Sequence, residues 1–533
     1  MNKVNYLSCE DLSELIIKST DFCLLDVRSK AEFNEKHILG SSSIPRSDLE
    51  FQLPRLIPYK HTKIILNDSD SKRSFYSVSQ LSHMGYSNVL VLEGGLDKWI
   101  TEGYSYTEGM NVPSKVFGEQ VLHTDDPPEI TPEELFEKIE NGEKLLLIDT
   151  RTPEEYSRAT MPNSISIPNG ELINRVPELD KEFDGQIVIH CGGRTRSIIG
   201  AQSLINAGVS NKVVALRNGT MGWHLAGFKL EHGMVRPPPA VSPTGHQKAL
   251  AGAEAAAKRF GVIKIRQETL DQWRNEQKER TLCILDVRTE EEFKISHISD
   301  SRHAPGGQLV QATDVYVATQ RARVVLVDDL LVRALMTASW LMQLGWCEVY
   351  VLESGFEGQA MSSGERIAPC FGLEKQKITF ISPREALTAQ ENGSTIICLD
   401  KSLSCREKHP KGAWFSIRSK LVKDLQANKI NTRLIFISTD VKISVLAALD
   451  MRDFSSGVSV VEGGINAWER AGLGLEGGLN NLLSVPNDVY LRAYDREDPV
   501  EVEKAMNDYL NWELGLVEQI ARPGGTKFEI YPD

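Results

Sequence analysis

The chain has 533 residues, 41% of them hydrophobic and 25% charged, which is the composition of a folded globular protein too long for one hydrophobic core. Its formal net charge of −13 argues against a general nucleic-acid binder, because no broad basic face is available to neutralise phosphates. The sequence has neither the run of about eighteen apolar residues that a membrane span requires nor an N-terminal secretion signal, so we expect a cytoplasmic protein that does not bind membranes.

A short pattern, two apolar residues followed by Asp-x-Arg, repeats along the chain at domain-sized intervals. Its aspartates are Asp26, Asp149 and Asp286, and a degenerate fourth copy contains Asp400. Each copy ends in a strand-like run and a glycine turn, and in three copies a tryptophan follows. Strands that alternate with helical segments predict a mainly parallel sheet flanked by helices. We therefore expect an α/β protein of four tandem domains, here called units 1 to 4, at residues 1–110, 123–231, 262–366 and 375–475.

Two segments lie outside this repeat. Residues 232–261 contain three consecutive prolines and then an alanine-rich stretch, which is typical of a stiff connector that runs into a helix. This connector is expected to divide the chain into two pairs of domains. In the C-terminal extension, residues 476–533, Pro499 and an amphipathic pattern over 501–516 predict a helix. We expect that helix to pack on a neighbouring domain, with partner binding as the alternative.

Unit 2 contains the motif with the clearest chemical meaning. A β-branched run at 187–189 leads to a cysteine loop, here called the Cys loop, and then to a helical pattern. This order places Cys191 at the carboxyl end of a strand, where open α/β sheets bind ligands. Glycines let the loop amides turn inward, and a helix N-terminus starting near Ser197 together with two arginines favours the thiolate. We predict Cys191 as the catalytic nucleophile, and as substrate-binding residues Gly192, Gly193, Arg194, Thr195, Arg196 and Ser197; the alternative is an inert core cysteine.

Other charged residues near this loop are expected to have different roles. His190 precedes the nucleophile, but adjacent side chains of a strand point to opposite faces, so it is predicted to face away from the sulfur. Asp149 and Arg151 are expected to form a buried structural pair. Arg194 is expected either to attract an anionic substrate or to be a solvated surface charge.

The remaining cysteines do not indicate a metal site or a disulfide framework. Eight cysteines in a chain of this length are sparse, no Cys-x-x-Cys pair occurs, and the histidines lack ligand spacing, so no metal or cofactor is expected. Cys23, Cys283 and Cys398 each lie in an apolar strand-like run and are predicted to be structural. Cys405 is interpreted as incidental.

Three motifs of the chain together resemble the rhodanese homology domain: Asp-x-Arg, a Cys loop after a central strand, and Gly-Gly-x-x-x-Trp. The resemblance covers four tandem units up to about residue 475. The resemblance implies a sulfurtransferase that moves a sulfane sulfur from a donor such as thiosulfate, through a persulfide on Cys191, to cyanide or a thiol. In that family a six-residue loop, as in 191–196, is associated with sulfur transfer. Units 1 and 3 have Asp68 and Asp328 in place of the cysteine, and unit 4 also lacks a thiol, so these units resemble inactive copies. Residues 159–164 differ from the family's usual Gly-His-Ile-Pro-Gly-Ala segment.

The sequence is also compatible with two other functions. Phosphatase relatives, including arsenate reductases, use a seven-residue loop that ends in an arginine, and Arg196 resembles that arginine. A non-catalytic scaffold in which Cys191 senses oxidants or relays sulfur is the second alternative. The expected ligands are a small sulfur donor and acceptor, and a sulfur-accepting protein is a further candidate partner.

Overall fold

The computed structural model describes residues 4–18, 21–179, 183–365, 370–373, 378–454 and 456–520. Unit 1 and the segment after it contain β1 (Asn5–Leu7), α1 (Cys9–Lys18), β2 (Phe22–Asp26), α2 (Lys30–Glu35), β3 (Ser42–Ser43), α3 (Leu49–Leu56), β4 (Ile64–Asn67), α4 (Lys72–His83), β5 (Val89–Leu92), α5 (Gly95–Thr101) and α6 (Val112–Asp125). Unit 2 and the segment after it contain β6 (Glu129–Ile130), α7 (Pro132–Glu140), β7 (Leu145–Asp149), α8 (Pro153–Arg158), β8 (Ile165–Ser166), α9 (Leu172–Leu179), β9 (Gln186–His190), α10 (Thr195–Asn206), β10 (Val213–Leu216), α11 (Gly219–Leu225) and α12 (Pro243–Arg259).

The second half of the chain continues in the same way. Unit 3 contains β11 (Ile263–Ile265), α13 (Gln267–Asn275), β12 (Leu282–Asp286), α14 (Glu290–Ile295), β13 (His297–Ile298), β14 (Arg302–His303), α15 (Gly306–Gln311), α16 (Thr313–Tyr316), β15 (Thr319–Gln320), β16 (Arg323–Val327), α17 (Val332–Leu344), β17 (Glu348–Leu352) and β18 (Met361–Ser362). Unit 4 and the extension contain β19 (Phe380–Ile381), α18 (Pro383–Glu391), β20 (Thr395–Cys398), α19 (Ser402–Glu407), β21 (His409–Pro410), β22 (Trp414–Phe415), α20 (Leu421–Ala427), β23 (Leu434–Ile437), α21 (Val441–Asp450), β24 (Val458–Val461), α22 (Gly464–Arg470), β25 (Leu475–Glu476) and α23 (Pro499–Ile520).

All four units are built on a five-stranded parallel sheet with one strand order. In unit 2 the order is β6-β10-β9-β7-β8, and units 1, 3 and 4 repeat it as β1-β5-β4-β2-β3, β11-β17-β16-β12-β14 and β19-β24-β23-β20-β22. The apolar strands are buried on both faces, as expected where helices cover both sides of a parallel sheet. The predicted α/β fold of four repeated units with a helical C-terminal extension is confirmed. None of the helices within the described residues has both the length and the apolar character needed to cross a bilayer.

In units 1 to 3 the Asp-x-Arg strand leads into a short helix with the same capping box. A Ser or Thr side chain accepts a hydrogen bond from the backbone N–H three residues on, and the glutamate at that position accepts one from the cap's own N–H. The pairs are Ser29 with Glu32, Thr152 with Glu155, and Thr289 with Glu292. The capping box therefore fixes the position of the glutamate side chain, which in unit 2 is the Glu155 carboxylate that bonds Arg196 of the Cys loop.

The segment predicted to be a connector that runs into a helix does contain that helix, α12, which packs against both neighbouring units. Ala249, Ala253, Ala256 and Ala257 of α12 are buried in one hydrophobic core that extends from unit 2 into unit 3. The chain therefore does not divide into two separate pairs of domains, because small alanine side chains let α12 lie close to helices of both units. A further link joins units 1 and 3, since β15 pairs antiparallel with β2 at the edge of the unit 1 sheet.

Cys405 is not incidental, which corrects the sequence interpretation. It forms a disulfide with Cys398, which ends β20, and both side chains are buried. The sequence did not indicate this pair because β20 and α19 bring the two residues together only when the turn between them closes. Cys23 and Cys283 are buried in β2 and β12, as expected for structural positions.

Candidate active site

The Cys loop connects β9 to α10 at the carboxyl edge of the unit 2 sheet. Helix α10 begins at Thr195, two residues earlier than the sequence suggested, so its N-terminus lies closer to the cysteine. The Cys191 side chain is 2% exposed, and its Sγ lies 3.7 Å from Ser197 Oγ, which itself donates to the Arg194 carbonyl at 2.6 Å. The thiol therefore lies next to the N-terminus of α10, which is the positive end of the helix dipole.

Units 1 and 3 carry a carboxylate where unit 2 carries its thiol. Asp68 Oδ2 accepts backbone N–H bonds from Arg73 at 2.5 Å and Ser74 at 3.1 Å. Asp328 Oδ2 likewise accepts them from Arg333 at 2.8 Å and Ala334 at 3.4 Å. Burial opposes ionisation, but the Arg333 guanidinium holds the pKa of Asp328 below its usual range. In units 1 and 3 the loop therefore directs backbone amides at a negative group in this position.

Arg194 is buried and paired within the protein. Its Nε and Nη2 donate to the two carboxylate oxygens of Glu119 at 2.6 and 3.0 Å, and its Nη1 donates to Asn218 Oδ1 at 3.3 Å. The residue is 6% exposed, so it is not the solvated surface charge that was one of two expectations. Glu119 lies in α6, outside unit 2, and its carboxylate balances the charge that an anionic ligand would otherwise meet.

Arg196 is likewise held by a carboxylate. Its Nη1 and Nη2 donate to Glu155 Oε2 and Oε1 at 2.7 and 2.8 Å. Burial opposes ionisation of this carboxyl, but the Arg196 guanidinium outweighs it and holds the pKa of Glu155 at about 2. The same pair recurs in units without a thiol, as Arg73–Glu32 and Arg333–Glu292. This recurrence indicates that the arginine fastens the loop to the capped helix, rather than serving the thiol alone.

Asp149 and Arg151 form a buried ion pair at the end of β7. Arg151 Nε and Nη2 donate to Asp149 Oδ1 and Oδ2 at 3.0 and 2.7 Å, and Thr160 Oγ1 donates to Oδ2 at 2.8 Å. The arginine also donates to the Ala159 carbonyl. His190 lies on the Asp149 side and bonds Ser164 Oγ at 2.8 Å through Nε2, and burial lowers the pKa of His190 to about 4. The neutral ring contacts this structural pair, in the orientation that strand alternation predicts.

Gly219 is the residue that lets the β10–α11 turn close onto the Cys loop. It has φ +51°, and a Cβ there would lie 2.3 Å from the Cys191 carbonyl oxygen. The next residue, Thr220, donates its N–H to that same oxygen at 2.8 Å. A side chain at this position would both strain the backbone and push the loop away.

We expect Gly219→Ala to lower the free energy of unfolding of unit 2 by about 2–3 kcal/mol, from backbone strain and the clash with the loop. Thermal unfolding and amide exchange over residues 191–197 measure this. The matched control is Gly208→Ala, where φ is +74° but nothing lies within 4 Å of a Cβ. Equal losses in the two variants would show that contact with the Cys loop is unimportant.

A cavity of about 1230 Å³ opens beside the loop and is lined by several parts of the chain. Gly192, Gly193 and Arg196 form one wall, and residues 489–496 and α23 face them. Helix α23 packs directly on the loop: Thr195 Oγ1 donates to Glu513 Oε1 at 2.8 Å. The C-terminal helix thus packs on a neighbouring unit, as predicted, and the cavity is large enough for small molecules.

Lys115 of α6 lines the same cavity and was not identified from the sequence. Its Nζ donates to Tyr509 Oη at 2.6 Å and lies 4.1 Å from the Tyr509 ring centroid and 4.5 Å from that of Trp512. Burial lowers the pKa of Lys115 to about 8. No local pattern predicts this cluster, because Lys115 and Tyr509 are 394 residues apart. Among the described residues, no group of three His, Cys, Asp or Glu side chains is placed to hold a metal ion.

Comparison with known proteins identifies relatives of the whole chain and of single units. The family model described as rhodanese-like domain matches residues 8–102, 131–226 and 267–361, more than half of the chain. The crystal structure of thiosulfate sulfurtransferase from Pseudomonas aeruginosa superposes with a TM-score of 0.94 at 36% identity, covering 99% of this chain and 100% of that one. A sulfurtransferase from Allochromatium vinosum is 31% identical over 117 residues, 22% of this chain and 97% of that protein. The putative sulfurtransferase YtwF of Bacillus subtilis is 35% identical over 95 residues, 18% of this chain and 88% of that protein.

Proposed function

This chain belongs to the rhodanese-like family, and we propose that it is a sulfurtransferase in which Cys191 carries the sulfur as a persulfide. One observation carries the proposal. The equivalent loops of units 1 and 3 hold a carboxylate by inward-facing amides, and unit 2 carries its buried thiol at the position of these carboxylates. A cradle that binds an anion stabilises a thiolate before attack and a persulfide anion after it.

The reaction is a double displacement. The Cys191 thiolate attacks the outer sulfur of thiosulfate, a new S–S bond forms, and the S–S bond of thiosulfate breaks with its electron pair leaving on sulfite. Cyanide or a thiolate then attacks the outer sulfur of the persulfide, which restores the Cys191 thiolate and releases thiocyanate or a new persulfide. No metal or cofactor enters either step, and the residues of the chain supply a nucleophile and a positive environment for anions.

Gly192 and Gly193 are proposed to hold the donor through the loop backbone and the open cavity wall, since both line the cavity. The side chains of Thr195 and Ser197 are engaged within the protein, to Glu513 and the Arg194 carbonyl, so we assign them to loop geometry. Arg194 and Arg196 contribute a fixed positive field that their carboxylates partly cancel. Asp149 and Arg151 support the base of the loop.

The phosphatase alternative receives no support from the site geometry. An arginine that binds phosphate has to point its guanidinium at the phosphate group beside the cysteine sulfur. In this protein both Nη atoms of Arg196 instead bond Glu155. Arg196 is also the sixth residue of the loop counted from Cys191.

Mass spectrometry of the intact protein after exposure to thiosulfate tests the proposal. We expect a gain of one sulfur atom, located on Cys191 by peptide mapping and removed by cyanide. The other free cysteines (Cys9, Cys23, Cys283, Cys347 and Cys370) serve as internal controls within the same sample. Burial raises the pKa of Cys370, the most exposed of these, to about 11, so it is expected to stay unmodified. Absence of the gain on Cys191, or phosphatase turnover without it, would refute the proposal.

A further inference from the structure

The arginines around the thiol differ from Lys115 in how their charges are balanced. Arg151, Arg194 and Arg196 each donate at least two side-chain hydrogen bonds to one carboxylate. Such a pair attracts an anionic ligand less strongly than an unpaired cation does, because the carboxylate partly cancels the field of the guanidinium. We therefore expect a different positive group of the cavity to bind the donor.

Lys115 is a buried ammonium group without such a partner. It is 7% exposed, and among the described residues no carboxylate lies within ion-pair distance of its Nζ. Two aromatic rings and one hydroxyl, all neutral, contact it directly, and the Glu513 carboxylate acts on it from beyond ion-pair distance. An ammonium group has three N–H donors, so two remain after the bond to Tyr509.

The Tyr509 ring fixes the position of Lys115 relative to the Cys loop. The ammonium bonds the phenolic oxygen at 2.6 Å, while a Cβ on Gly193 would lie 3.1 Å from Cε1 of the same ring. The phenolic oxygen and Cε1 are separated by only one ring atom, so Lys115 and the loop contact neighbouring atoms of one side chain. Lys115 is also close enough to Cys191 for the two side chains to interact electrostatically.

We propose that Lys115 binds the anionic end of the sulfur donor, the sulfonate group that leaves as sulfite when the donor is thiosulfate. This inference rests on the proposed sulfurtransferase function and names the residue that selects the donor. Negative charge on the sulfonate oxygens increases as the S–S bond breaks, so a fixed ammonium stabilises the leaving group more in the transition state than in the bound donor. The selected donor class is therefore an oxyanion that carries a terminal sulfane sulfur.

The charge of Lys115 makes this selection pH-dependent. The charged or titratable groups that act on it are Glu513, Arg196 and Cys191, and the Tyr509 hydroxyl bonds it. Burial is the largest influence and lowers the pKa of Lys115 to about 8, so the ammonium is present below that pH and is lost as the pH rises through it. Burial raises the pKa of Tyr509 well above its usual range, so the phenol stays neutral throughout.

Steady-state kinetics with thiosulfate and cyanide from pH 6.5 to about 9.5 test the proposal. For Lys115→Met we expect a KM for thiosulfate raised about tenfold or more at pH 7, and a KM for cysteine persulfide, which lacks a sulfonate, changed less than about twofold. In the wild type, KM for thiosulfate is expected to rise above pH 8. Lys115→Arg is expected to keep KM low across this range, because a guanidinium stays protonated.

Lys30→Met is the matched control, since Lys30 is a second lysine that lines the same cavity and belongs to unit 1. An equal rise of KM in Lys30→Met and Lys115→Met, or an unchanged KM in Lys115→Met, would overturn the proposal. An alkaline rise of KM that persists in Lys115→Arg would do the same. Recovery of thiosulfate KM by Lys115→Arg shows that any loss in Lys115→Met arises from charge and not from misfolding.

Sulfite binding to the Cys191→Ser protein, followed by calorimetry, separates this inference from the proposed function. Weaker sulfite binding after Lys115→Met is added supports the anion site, even if the wild type fails to acquire sulfur on Cys191. Normal sulfur loading of the wild type together with unchanged sulfite binding in the double variant would leave the sulfurtransferase proposal intact and refute the role of Lys115.

Discussion

Replacing Cys191 by serine is expected to lower thiosulfate-to-cyanide sulfur transfer by at least about a thousandfold. A serine hydroxyl is not ionised by the loop at neutral pH, and its oxygen cannot accept and return a sulfane sulfur as a thiolate does. Formation of thiocyanate under saturating thiosulfate measures the effect. The substitution is nearly isosteric, and the 2% exposed side chain sits in a closed environment, so the fold is expected to persist.

The control for this variant is Cys370→Ser, which removes the partly exposed free thiol. It is expected to retain the wild-type rate, because a thiol whose pKa is raised to about 11 contributes no thiolate at neutral pH. Sulfur transfer that survives in Cys191→Ser and falls in Cys370→Ser would show that Cys370, and not Cys191, carries the sulfur. Thermal unfolding of both variants confirms that any loss is chemical.

Arg196→Met is expected to lower the free energy of unfolding of unit 2 by about 3 kcal/mol, because it leaves the partly buried Glu155 without its charge partner. The Arg196 side chain is 11% exposed and that of Glu155 30% exposed. The shift of the first thermal transition and faster amide exchange in the Cys loop and α8 measure the loss. The change is expected to be larger at pH 7 than at pH 3, since it acts on an ionised carboxylate.

The sign of this pH effect follows from Glu155. Its pKa in the folded protein is about 2, below the value of an unfolded glutamate, so the pair stabilises the fold above pH of about 4.5 and loses that effect as the pH falls toward 2. Arg73→Met removes the equivalent pair in unit 1, where the arginine side chain is 38% exposed, and is expected to cost about 1 kcal/mol or less. An Arg196→Met protein of wild-type stability with a raised KM for thiosulfate would show that Arg196 acts on the donor and not on the loop.

The repeat and the fold of each unit could be predicted from the sequence, because their signals are local. Buried β-branched strands, the Ser/Thr capping boxes and the glycine turn that ends each unit are short-range patterns, and each specifies its element without reference to distant residues. The Cys loop was recognised for the same reason: its glycines, arginines and thiol occupy one continuous stretch between a strand and a helix.

The electrostatics of the site could not be predicted in this way. Arg194 and Arg196 read as free charges in the sequence, but the tertiary structure pairs them with Glu119 and Glu155, 75 and 41 residues away. Whether an arginine serves a substrate or the fold depends on its nearest carboxylate, and that distance is a property of packed helices. The disulfide of Cys405 escaped prediction for a similar reason, since the closing turn decides it.

The sequence by itself determined that this protein is a chain of four parallel-sheet units of which unit 2 keeps a thiol at the functional edge. Only the tertiary structure decided what surrounds that thiol: α6 and α23, from outside unit 2, cover the loop and bring Lys115, Tyr509 and Glu513 to it. The physical reason is the sequence separation of the residues that interact. Hydrogen-bonded strands and capped helices are encoded over a few residues, whereas a composite cavity forms only where apolar helix faces from distant segments are buried together.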